Sequence, residues 1–102
     1  MSKKGFKGFN KDLKCRNFQF SENAEFSQDG DPVPCKSGFH YCENPLDVFK
    51  YYPPNGDNVY ATVEARGVVV QEDHKSVTNK IYVGKRISLS KMFKLCFKVI
   101  TS

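Results

Sequence analysis

Chemistry in this chain concentrates in its cysteines and one histidine. Cys35-Lys36-Ser37-Gly38-Phe39-His40-Tyr41-Cys42 sets two thiols and an imidazole in a C-x4-H-x-C pattern, with Cys15 upstream. Thiolate and imidazole are favoured zinc ligands, arranged four at a time in a tetrahedron. In an extended segment His40 and Cys42 share a face, and Gly38 permits a turn that returns Cys35. Cys15 on a neighbouring strand could complete the set. The spacing lacks the C-x2-C knuckle of fingers and ribbons, and the same residues read equally as buried thiols, with His40 bonded to a backbone carbonyl. A structural zinc on Cys15, Cys35, His40 and Cys42 is the one cofactor suggested, and a domain of this size does not require it. A nucleophilic Cys–His pair is disfavoured, because i and i+2 neighbours seldom reach attack geometry. Cys96 lies in an apolar segment and reads as a small buried hydrophobe.

The second chemical resource is positive charge. Among 102 residues, 16 Lys+Arg stand against 11 Asp+Glu, a formal net charge of +5. In residues 1–20, Lys3, Lys4, Lys7, Lys11, Lys14 and Arg16 face only Asp12, for a net +5. Residues 21–73 hold ten carboxylates against Lys36, Lys50 and Arg66, a net −7. Residues 74–102 carry Lys75, Lys80, Lys85, Arg86, Lys91, Lys94 and Lys98 with no carboxylate, a net +7. An anion- or partner-binding surface is expected on Lys3, Lys4, Lys7, Lys11, Lys14, Arg16, Lys80, Lys85, Arg86, Lys91, Lys94 and Lys98. The bland alternative is that the acidic middle packs beside the basic ends and the fields cancel. Phe and Lys interleave in Gly5-Phe6-Lys7-Gly8-Phe9-Asn10-Lys11, superficially a stacking surface for single strands. Such phenylalanines are more often core, with the lysines pointing outward. There is no Walker loop, G-x-G-x-x-G, G-x-S-x-G or H-E-x-x-H, so no catalytic signature argues for an enzyme.

Several elements must position these groups. Lys4–Phe9 reads as a strand with Phe6 and Phe9 in the core, followed by a turn at Asn10-Lys11-Asp12. Arg16–Phe20 alternates polar and aromatic residues and is predicted as a second strand. Asp29-Gly30 is a turn compatible with a hairpin. Asn44 caps a short helix that opens on Pro45, buries Leu46, Phe49 and Tyr52, and stops at Pro53-Pro54. Val59–Arg66 alternates with Val59, Ala61, Val63 and Ala65 inward and Tyr60, Thr62, Glu64 and Arg66 outward. After Gly67, which could introduce a bulge, and a polar turn at Gln71–Lys75, a second alternating strand carries Val77, Ile81, Val83 and Ile87. Asn79 falls on that apolar face as a misfit. The two strands are expected to form an antiparallel hairpin. Ser88 caps a C-terminal amphipathic helix with a Lys91, Lys94, Lys98 stripe and a wide apolar arc of Met92, Phe93, Cys96, Phe97 and Ile100. That arc is expected to pack on the sheet. The predicted fold is α+β: a small single domain spanning 1–102, with an antiparallel sheet, a short central helix and a C-terminal helix.

Lys7-Gly8-Phe9-Asn10-Lys11-Asp12-Leu13-Lys14-Cys15-Arg16, the following Phe18-Gln19-Phe20, and the run from Cys35 through Phe49 to Tyr51-Tyr52-Pro53 resemble an uncharacterised domain family of small bacteriophage and prophage proteins. Val63-Glu64-Ala65 and Asn79-Lys80-Ile81 extend the likeness over most of the chain. The resemblance implies a context without an assigned activity. Many phage proteins of this size inhibit host defences stoichiometrically, anti-CRISPR proteins among them.

The leading expectation is therefore a non-enzymatic phage-type protein that binds a host protein or ribonucleoprotein complex. It would act in the cytoplasm of the bacterial host, since no apolar h-region follows the basic N-terminus and no run approaches a membrane span. One alternative is a nucleic-acid-binding module stabilised by zinc. Another is a small-nucleotide binder or enzyme whose pocket is lined by His40, Cys42 and nearby Tyr or Arg side chains.

Overall fold

The computed structural model describes residues 3–34, 36–54 and 56–101. The chain runs β1(Lys3–Phe9), β2(Lys14–Cys15), β3(Phe18–Gln19), β4(Ala24–Ser27), β5(Phe39–Tyr41), α1(Pro45–Val48), β6(Val59–Ala65), β7(Val69–Glu72), β8(Lys75–Thr78), β9(Lys80–Ile87) and α2(Leu89–Thr101). Among the described residues three antiparallel sheets form: β1-β6-β9-β4, β5-β8-β7 and the two-stranded β2-β3. The α+β architecture, with its short helix and C-terminal helix, is the one expected from the hydrophobic patterning.

The four-stranded sheet is buried along one face and at one end of the other. One face brings Phe9, Ala61, Val63, Ala65, Ile81 and Val83 together with Phe20, which follows β3, and with Phe39 and Tyr41 of β5. The inward set expected on β6 accordingly lies within the sheet, Val59 only half-buried. The opposite face gathers Tyr60, Cys42, Val48 and Met92, with Phe6, Phe49 and Tyr52 packed beside them. Tyr60, expected outward, is only 2% exposed. Period-2 patterning identifies a strand's faces: Thr62 and Arg66 are exposed as expected, while the Tyr60 end of that face is covered by α1 and α2, which the strand's own sequence does not announce.

Several sequence expectations change. The stretch predicted as one strand from Val77 to Ile87 divides at Asn79: β8 pairs with β5 and β7, whereas β9 pairs with β6 and β4. Asn79 sits at the switch. Its Oδ1 accepts from Val68 N at 2.9 Å and its Nδ2 donates to Gly30 O at 3.1 Å. A Cβ at Gly67 would collide with Asn79 Oδ1, so only glycine admits the side chain there. The misfit amide thus serves backbone groups where the chain leaves one sheet for another. Asp29-Gly30 closes no hairpin, because β4 finds its partner in β9.

Arg16–Phe20 is not a continuous strand. Cys15 pairs with Phe18, and Arg16 and Asn17 both have positive φ, 52° and 67°. Two consecutive left-handed residues are the mark of a type I′ turn, whose twist suits a two-residue hairpin. Phe18, Phe20, Phe26 and Phe39 then pack ring against ring, Phe18 and Phe20 tilted at 4.6 Å and the other pairs edge to face at 5.1 to 5.8 Å, and hold the hairpin on the sheet.

Both predicted caps are present. Asn44 Oδ1 accepts from Leu46 N at 2.9 Å, and Ser88 Oγ accepts from Lys91 N at 3.1 Å. α1 ends at Val48, and its fully buried residue is Val48 rather than Leu46. α2 buries Met92 and Cys96 but leaves Phe93 50%, Phe97 67% and Ile100 67% exposed. The apolar arc is therefore only half used against the sheet.

Candidate functional site

A cavity of about 400 Å³ opens where β1, the β2–β3 hairpin, β5 and the segment after α1 converge. Its size falls in the usual range for small-ligand pockets. Lys7, Arg16, Lys50 and Lys75 line it, together with Cys15, His40, Cys42, Tyr41, Tyr51 and Tyr52, and no carboxylate does so among the described residues.

Its floor follows from the sequence of β1. Strand alternation puts Lys7 on the Phe9 face, opposite Ala61, so this lysine points inward and is only 4% exposed. Its Nζ donates to the His40 carbonyl in a short contact, lies 3.6 Å from Cys15 Sγ, and sits 5.3 Å from the Phe20 ring centroid. Burial, which penalises an ammonium without a carboxylate partner, lowers the Lys7 pKa; the neighbouring cysteines act the other way. Gly8, next along β1, leaves room for the Tyr52 ring: a Cβ there would stand 2.6 Å from Tyr52 Cγ. The Tyr60 hydroxyl donates to Tyr52 O at 2.8 Å and Pro53 O at 3.1 Å, pinning that segment. Thus held, Tyr52 donates its hydroxyl hydrogen to Cys15 Sγ at 3.0 Å. Burial and this thiol contact both push the Tyr52 pKa up.

The walls are electropositive. His40 is held down to about 4, first by desolvation and then by Lys7, Arg16 and Lys75, so its imidazole is neutral at physiological pH. Burial, followed by Asp47, pushes the Cys42 thiol up to about 11. Cys42 is bound to β1 through paired backbone hydrogen bonds with Phe6, at 2.7 and 2.9 Å. Lys75 Nζ lies 5.7 Å from the Tyr51 ring centroid at the mouth, and Lys50 is bridged to Asp47 at 3.2 Å. The Tyr41 hydroxyl is buried, and burial raises its pKa, with the neighbouring Ser76 acting the other way.

The fold treats the residues expected at a site unevenly. Cys15, His40 and Cys42 do line one cavity. Among the described residues, however, no three His, Cys, Asp or Glu side chains are grouped to hold a metal ion. Cys35 lies outside the described residues. Of the twelve basic residues expected at a binding surface, only Lys7 and Arg16 enter the cavity. Lys7 is buried rather than outward. Lys94 and Lys98 flank a shallow groove on α2, and Lys4 borders another beside Tyr82. Lys3 and Arg86 pair with Glu43 and Glu22 at 4.0 and 3.4 Å, so the acidic middle does offset part of the basic ends. Lys50, Lys75 and Tyr52 also line the cavity; the sequence pattern places Tyr52 in the core and gives the two lysines no role at a site.

The fold and site define a small α+β domain built around an electropositive, cysteine-containing pocket. A family model described as Domain of unknown function (DUF7666) matches residues 3–95, and the chain belongs to that family. No curated protein and no solved structure matches the chain significantly. Among the described residues, no helix is long and apolar enough to cross a membrane.

Proposed function

We propose that this domain binds a small anionic ligand of nucleotide size in the cavity between β1, β5 and the β2–β3 hairpin. The observation that carries the reading is the lining itself: four basic side chains, Lys7, Arg16, Lys50 and Lys75, and no carboxylate, among the described residues, around about 400 Å³. Arg16 offers a planar donor fork suited to phosphate or carboxylate, and Lys50 and Lys75 add point charge. Tyr51 and Tyr52 supply aromatic surface for a flat ring. Calorimetric titration with adenosine 5′-monophosphate, inorganic phosphate and adenosine tests it. Arg16→Gly is the informative variant, because φ of 52° is a conformation glycine adopts without cost. The variant should fold as well as the parent yet bind the nucleotide about tenfold more weakly, the worth of one charge-assisted contact. Equal affinity for adenosine and the monophosphate, or none for any anion, would refute the reading.

A second reading retains the inhibitor of host defence, with phage or prophage origin and action in the bacterial cytoplasm. It is favoured by α2, which exposes Phe93, Phe97 and Ile100 beside Lys91, Lys94 and Lys98 and carries no carboxylate. Such a face suits an acidic apolar patch on a host protein. Expression in a strain with an active CRISPR system should let a targeted phage plaque. Unchanged immunity would reject it.

A further inference from the structure

We infer that Cys15 is the nucleophile of the pocket, with Lys7 as its base, and that the ligand is a carbon electrophile bearing a phosphate or carboxylate group. The inference deepens the anion-binding reading and rests on the same cavity. Two groups from separate parts of the chain converge on one sulfur. Lys7 Nζ approaches at 3.6 Å from β1, the Tyr52 hydroxyl donates at 3.0 Å from the segment after α1, and Cys15 itself ends β2. Cys15 is partly exposed into the cavity, whereas Cys42 and Cys96 are buried.

The geometry supplies each role. Burial makes Lys7 give up its proton more readily than an ordinary lysine, and the amine, while donating to the His40 carbonyl, keeps a lone pair for the thiol proton. Lys7 takes that proton, and a bond forms between Cys15 Sγ and the electrophilic carbon. The bond to the leaving group breaks with its electron pair going to the leaving group, which takes the proton back from Lys7. The Tyr52 hydroxyl steadies the charge that develops on sulfur before the new bond is complete. Arg16, Lys50 and Lys75 hold the anionic part of the ligand.

Iodoacetate, a carboxylate-bearing carbon electrophile, and neutral iodoacetamide are the probes. Alkylation of each cysteine is followed by peptide mass spectrometry in the native and the urea-unfolded chain. A merely sheltered thiol reacts more slowly when native; a base-assisted Cys15 should react at least roughly tenfold faster native than unfolded, the lower end of what a positioned base contributes. Cys42 and Cys96 should be protected. Lys7→Met should abolish the acceleration, and Tyr52→Phe, which keeps the ring on Gly8, should reduce it about threefold to tenfold. Cys15 protected like Cys42, or undiminished in both variants, overturns the nucleophile. Preference for iodoacetate over iodoacetamide reports the cationic pocket separately: acceleration without that preference would leave the nucleophile standing and remove the anionic class of ligand.

Discussion

At the scale of residues, the same atom types acquire different chemistry from their surroundings. Cys15, Cys42 and Cys96 are all unpaired by disulfides, yet only Cys15 of these three has both a polar neighbour set and an opening to solvent. His40 provides a measurable case. Its pKa is lowered to about 4 in the fold, against an ordinary value of 6.5, so the unfolded chain takes up the proton first. Stability is therefore full above about pH 6.5 and declines as pH falls towards 4. Because the imidazole is only half-buried, the loss attributable to it should be about 1 to 2 kcal/mol after screening. Urea unfolding at pH 7 and pH 4.5 should show that difference in the parent and a smaller one in His40→Gln.

At the scale of elements, what matters is where the chain changes partners. Local pattern made one strand of residues 77–87, because Val77, Ile81, Val83 and Ile87 share a parity. The break at Asn79 is invisible to that pattern, since the apolar parity continues on both sides of the switch; only the polar misfit marks it. Asn79 satisfies Val68 N and Gly30 O and so joins three segments. Asn79→Ala should cost about 1 to 2 kcal/mol, the net worth of the two exposed hydrogen bonds it removes. Gly67→Ala should be as damaging, because its Cβ meets the same amide. Chemical denaturation checks both; a change below about 0.5 kcal/mol, the range of ordinary surface substitutions, would deny the junction its structural role. The β2–β3 hairpin teaches the same lesson. Alternation in Arg16–Phe20 is real, but two left-handed residues fold it back on β2, and neither Arg16 nor Asn17 is the glycine that usually signals such a turn.

At the scale of the whole molecule, apolar surface is divided between core and exterior. Met92 is fully buried against the outer face of the main sheet, while Phe97, five residues along α2, is 67% exposed. Met92→Ala should destabilise by about 2 to 5 kcal/mol, the cost of an unfilled core cavity. Phe97→Ser should change stability by no more than about 0.5 kcal/mol. Thermal unfolding of the two variants distinguishes them, and a large loss for Phe97→Ser would place that ring in the core after all. The basic ends and acidic middle also resolve at this scale. Some charges cancel across the fold, as in Arg86 with Glu22, while others gather in one cavity.

The sequence by itself determined the fold class, both helix caps, the inward set of β6 and the family to which the chain belongs. These are local properties: side-chain parity, a capping oxygen two or three residues from its donor, and a continuous motif. Only the tertiary structure decided the pocket. Cys15 is 8 residues from Lys7 and 37 from Tyr52, and both contacts span separate elements. It also turned Lys7 inward, because the face of β1 that carries Phe9 is the one the smaller sheets cover. Short-range periodicity records which side of a strand is shared, but not what will later pack against it. A buried lysine, a thiol and a tyrosine meet here because two sheets and a hairpin close on one another, and no local pattern carries that information.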